Sequence, residues 1–77
     1  MKVTQSFEEQ IRKVWGKPAQ VADAAFKELF YHDDEIGLDY DDQIRYAKKV
    51  GLLAGELKGS DPETFIQRFE KEILNEE

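Results

Sequence analysis

The sequence predicts an all-α protein, a small bundle of four short helices around one aromatic-rich core. Three observations predict it. Apolar residues recur at three- and four-residue spacings through four stretches, and nowhere in the strict alternation of a half-buried strand. Cap and stop residues separate these stretches, with Gly16 and Pro18 after the first, Asp39 before the third, and Gly59 to Pro62 before the last. The composition is 40% hydrophobic and holds nine aromatic residues, five Phe, three Tyr and one Trp, which is too apolar for a disordered chain. The helices are expected at about 6–15, 18–31, 40–58 and 61–75, in one domain spanning residues 1–77.

Ser6 with Glu9 reads as a capping box opening the first helix, whose apolar face is Phe7, Ile11, Val14 and Trp15. Gly16 stops it, and Pro18 takes the first turn of the second helix, where its missing N–H costs nothing. There Val21, Ala22, Ala25, Phe26, Leu29 and Phe30 form the apolar half, Asp23 and Lys27 form an i,i+4 pair on the other, and Tyr31 falls outside the buried arc. The third helix starts with Asp39 as N-cap and Asp41 and Asp42 in its first turn, where the helix dipole favours negative charge. Its apolar face is Ile44, Tyr46, Ala47, Val50, Leu53, Ala54 and Leu57, opposite Arg45, Lys48, Lys49 and Glu56, with Leu52 projecting among the charges. Gly51 and Gly55 each cost about 1 kcal/mol relative to alanine, which leaves a close helix crossing or a break at Gly51 as explanations. The last helix is capped by Ser60 or Asp61, carries Pro62 and Glu63 in its first turn, and turns Phe65, Ile66, Phe69 and Ile73 inward.

A chain of 77 residues buries only about 60% of its unfolded surface, so a partner or self-association would add to its stability, and a homo-oligomer is left open. Without cysteine there is no disulfide, no thiolate metal site and no cysteine nucleophile, which fits a reducing cytosol and a cytoplasmic location. The N-terminal MKVTQSFEEQ lacks the apolar stretch of a secretory signal, and no apolar run approaches the ~20 residues that span a bilayer, so no membrane association is expected. Seventeen acids against eleven bases give a net charge of −6, which disfavours direct nucleic-acid binding and favours a protein partner with a basic surface.

The acid concentrates in the connector DDEIGLDYDD between the second and third helices, where Asp33, Asp34, Glu35, Asp39, Asp41 and Asp42 fall within ten positions. An EF-hand register with Gly37 at its sixth position would need acids where His32 and Ile36 stand, so no metal site is expected. Asp33, Asp34 and Glu35 follow the C-terminal end of a helix, where the dipole disfavours them, so they carry the strongest suggestion of function. His32 is the only histidine, no nucleophile or glycine-rich phosphate loop accompanies it, and no enzymatic activity or cofactor is expected. The candidate partner-binding residues are Tyr31, His32, Asp33, Asp34, Glu35, Asp39, Tyr40, Asp41, Asp42 and Leu52.

The segment EEQIRKVWGK followed by IGLDYDDQI resembles an acyl carrier protein, a family of small acidic four-helix proteins. That family's motif is glycine, one residue, then Asp-Ser-Leu, with the serine bearing a phosphopantetheine arm. Gly37, Leu38 and Asp39 match, whereas Tyr40 stands at the serine and Asp41 at the leucine. The resemblance therefore implies a carrier-like acidic face docking on an enzyme, without the arm. Residues 43–57, QIRYAKKVGLLAGEL, resemble a helix-turn-helix with Ala47 and Gly51 at the tight turn, which would imply a DNA-binding regulator. The base-reading part would be the apolar LLAGEL. The leading expectation is a non-enzymatic, acidic helical module that binds a basic surface, in the manner of inhibitor, immunity or antitoxin proteins of mobile elements.

Overall fold

The computed structural model describes residues 2–74, and the described part is all-α. Its elements are α1 (Gln5–Val14), α2 (Pro18–Tyr31), a single-turn α3 (Asp33–Ile36), α4 (Tyr40–Glu56) and α5 (Pro62–Phe69), which runs on into a π-helical turn (Glu70–Leu74). The four longer helices pack in a ring: α2 lies on α1 and α4, and α5 lies on the same two. Asn75, expected as the end of the last helix, falls outside the described residues.

Aromatic residues of α1 and α5 build much of the core. Phe7 lies tilted against Phe69 at 4.9 Å, Phe69 stacks on Phe65 at 6.3 Å, and Phe65 meets Trp15 at 5.9 Å. Such ring pairs add about 0.5–1.5 kcal/mol each beyond their buried area. Ile11, Leu29, Val50 and Ile73 close the centre, all at 1% exposure or less. Trp15 is only half-buried, and its indole Nε1–H donates to the Ser60 carbonyl at 2.8 Å. This bond fastens the α1–α2 turn to the α4–α5 turn across the bundle.

The turns follow the expected chemistry with two shifts in the caps. Gly16 and Gly37 have φ of 93° and 73°, the left-handed region where a side chain is strained, and each ends a helix. Asp39 caps α4 by accepting from the Asp42 N–H at 2.8 Å, and Asp61, rather than Ser60, caps α5 by accepting from Thr64. At α1 the cap is Thr4, whose hydroxyl accepts from the Phe7 N–H at 3.2 Å, so Ser6 lies inside the helix and the capping box does not form. The reason is Glu28, which holds Thr4 in place from α2.

On α2 the buried face is Val21, Ala24, Ala25, Glu28 and Leu29, rotated from the expected one. Phe30 is 51% exposed, and Ala22 and Phe26 pack only partly against the core. On α4, Tyr46, Val50, Leu53, Ala54 and Leu57 are buried as expected, Ala47 is half-buried, and Ile44 is exposed. α4 runs without a break through Gly51, and a Cβ at Gly51 or Gly55 would meet no atom within 4 Å. Neither a break nor an internal helix crossing therefore explains these glycines, and the turn of a helix-turn-helix is not formed at Ala47 and Gly51.

The end of α5 widens into a π-turn that buries the neighbours Ile73 and Leu74 together. Lys49 on α4 donates to the Glu72 carbonyl at 3.3 Å, and Arg68 pairs with Glu72 one turn apart. Arg12 joins α1 to α5 with both oxygens of Glu63, at 2.7 and 3.0 Å. Its guanidinium holds the Glu63 carboxyl below the usual glutamate range.

Candidate functional site

The acidic connector folds into a cap at one end of the α2–α4 pair. His32 is at once the C-cap of α2 and the N-cap of α3, its N–H donating to the Glu28 and Leu29 carbonyls and its own carbonyl accepting from Glu35 and Ile36. Asp33, Asp34 and Glu35 form a single-turn helix that directly follows the C-terminal end of α2, as the sequence places them. The sequence reading missed this single turn because it lacks any apolar repeat.

His32 is not a surface residue. Its side chain is buried, and Nε2 sits 3.0 Å from Glu28 Oε2, itself buried. Glu28 also accepts from the Thr4 N–H at 2.7 Å and the Thr4 hydroxyl at 2.9 Å. A carboxylate only accepts, so Nε2 carries the proton of the Glu28 contact. Nδ1 is buried without a hydrogen bond, and Glu35 Oε1 stands 3.8 Å away, beyond hydrogen-bond reach. The ring is thus corrected from partner contact to interior support, with Tyr31 laid edge-on against it at 5.1 Å. Glu28 and Thr4 were missed, although Val21, Ala25, Glu28 and His32 repeat at three to four residues along one face.

What remains outside is a set of exposed carboxylates and exposed aromatics. Tyr31 is 69% and Tyr40 75% exposed, and Phe30 and Ile44 add apolar surface that the sequence placed inside. Among the described residues Asp34 and Asp41 have no cation within ion-pair distance, whereas Asp42 pairs with Arg45 at 2.7 Å. Asp33 is half-buried and leaves its Oδ1 without a partner. Asp39 is engaged as the α4 cap. Leu52 is 73% exposed but stands apart, about 18 Å along the α4 axis from Tyr40. Tyr31 also borders an open groove of about 690 Å³ between α1 and α2, with Phe7 and Glu28 in its lining.

Tyr40 is the first residue of α4. Among the described residues no group of three or more His, Asp or Glu is placed to hold a metal ion, and no helix is long and apolar enough to cross a membrane. Comparison with family models, curated proteins and solved structures finds no match to this chain.

Proposed function

We propose that this protein is a non-catalytic binding module that docks on a basic surface of another protein through the end formed by α3 and the adjoining ends of α2 and α4. The observation that carries this reading is the exposure of Tyr31 and Tyr40 among carboxylates of which Asp34 and Asp41 have no cation of their own among the described residues. Exposed aromatics supply anchoring area, and uncompensated acids supply steering toward a cation-rich partner. The Thr4–Glu28–His32 chain supports the reading, because it fixes the α2–α3 junction beside which Tyr31 stands. A nucleic-acid-binding protein whose cationic groove is blocked fits the partner chemistry, as with inhibitors and antitoxins of mobile elements.

The test compares wild type with Asp34→Asn/Glu35→Gln, which removes two surface charges and leaves both helix caps in place. Each is immobilised and challenged with source-cell lysate at low and high salt. A basic protein retained at low salt by wild type, released by salt and lost from the variant is the expected result. Equal retention by both, insensitive to salt, would refute the reading.

A further inference from the structure

The groove between α1 and α2 is lined by a charge that no lysine or arginine of the chain offsets. Its volume of about 690 Å³ is that of a site for a small organic molecule. Phe7 from α1 and Ala24 from α2 give it apolar lining, Tyr31 stands exposed at its edge, and Glu28 lines it while being itself buried. A buried carboxylate is costly without a cation beside it. Among the described residues Glu28 has the His32 ring as its one ion-pair contact. Lys27 also lines the groove, but its ammonium pairs with Asp23 at 3.3 Å.

The hydrogen bonds of Glu28 define what the groove can still accept. Oε2 accepts from the Thr4 N–H and from His32 Nε2, and Oε1 accepts from the Thr4 hydroxyl. Each oxygen thus has a donor, and of the roughly four acceptor positions of a carboxylate one remains, on Oε1. We propose that the groove is a binding site for a small organic ammonium ion, an amine carried on an aromatic or alkyl body, whose N–H donates to that remaining position. Three features select this class of ligand. The buried carboxylate favours a cation, as does the net charge of −6. A single remaining position suits the point donor of an ammonium and not the two parallel bonds of a guanidinium fork. Phe7 and Ala24 cover an apolar body, and the Tyr31 ring adds aromatic surface beside it. The proposal does not rest on the docking role above, because Asp34, Glu35 and Asp41 take no part in it.

Backbone NMR of the full chain titrated with 2-phenylethylamine tests it, with 2-phenylethanol as the neutral counterpart and 2-phenylethylguanidine as the forked one. Saturable shifts at Phe7, Ala24 and Glu28 are expected for the amine, with a dissociation constant of about 1 mM or tighter. The alcohol is expected to bind at least tenfold more weakly and the guanidine several-fold more weakly. Glu28→Gln removes the charge and is expected to weaken the amine at least tenfold. Tyr31→Ala alters only an exposed side chain and is expected to weaken it several-fold, so the test stands even where Glu28→Gln fails to fold. Absence of saturable shifts in the groove, an alcohol that binds as tightly as the amine, or a guanidine that binds more tightly would overturn the proposal. Shifts centred on Asp34 and Asp41 would overturn it equally and leave the docking role standing.

Discussion

Glu28 and His32, one helical turn apart on α2, face each other at 3.0 Å with both side chains buried. A carboxylate in the interior is tolerable only when its oxygens are satisfied, and here Thr4 and His32 together satisfy them. Three segments are joined in this way: the N-terminal strand of chain before α1, the middle of α2 and the junction with α3.

Glu28→Ala is expected to remove about 2–6 kcal/mol, about 1–3 kcal/mol for each of the two donors, the His32 ring and the Thr4 amide, that it leaves without an acceptor. That is a large share of the stability of a chain this short, for which roughly 4–12 kcal/mol is ordinary. Glu28→Gln keeps an acceptor for Thr4 and should cost about 1–3 kcal/mol. Urea unfolding followed by circular dichroism measures both, and a change below the error of the method in Glu28→Ala would disprove the role of the pair.

Thr4→Val removes the α1 cap and one of the bonds to Glu28 while keeping the shape of the side chain. About 1–2 kcal/mol should be lost. Ser6→Ala, at the position the sequence suggests as the cap, should change the urea midpoint little.

The Arg12–Glu63 contact predicts an acid dependence with a definite sign. Arg12 lowers the Glu63 carboxyl in the folded state, so the pair stabilises the fold above the ordinary glutamate value of 4.5, and this contribution is lost as pH falls through the lowered value. Asp61 is lowered by the Thr64 N–H and adds to the same trend below its ordinary 3.8. Melting temperatures of wild type and Glu63→Gln should differ at neutral pH and converge in acid. A gap that widens toward low pH would reverse the assigned sign.

Trp15→Phe keeps the contact with Phe65 and loses the bond to the Ser60 carbonyl. That carbonyl is at the surface and can turn to water, so a loss of only about 0.5–1.5 kcal/mol is expected. Hydrogen exchange should quicken at the α4–α5 turn and not at α3. Faster exchange at α3 would show that the bond does something other than tie those two turns.

Helix positions were legible in the sequence because Phe7, Ile11 and Val14, or Phe65, Ile66 and Phe69, repeat at helical spacing and the caps Asp39 and Asp61 stand in front. The rotation of α2 was not legible. A wheel ranks Phe30 above Glu28 for burial by hydropathy alone, and only the partners Thr4 and His32, brought in by tertiary packing, reverse that order. The acidic face was half visible. Its charges and the exposure of Tyr31, Tyr40 and Leu52 follow from pattern, whereas the withdrawal of His32 and the emergence of Phe30 and Ile44 depend on how α2 sits against its neighbours.

Backbone NMR of the labelled protein titrated with an oligo-arginine peptide tests the proposed docking face most directly. Shift changes concentrated between residues 31 and 41, erased by salt and sharply reduced in Asp34→Asn/Glu35→Gln, are the predicted result. Changes centred on Glu8, Glu9 and Glu63 instead, or unaltered by the variant, would contradict it.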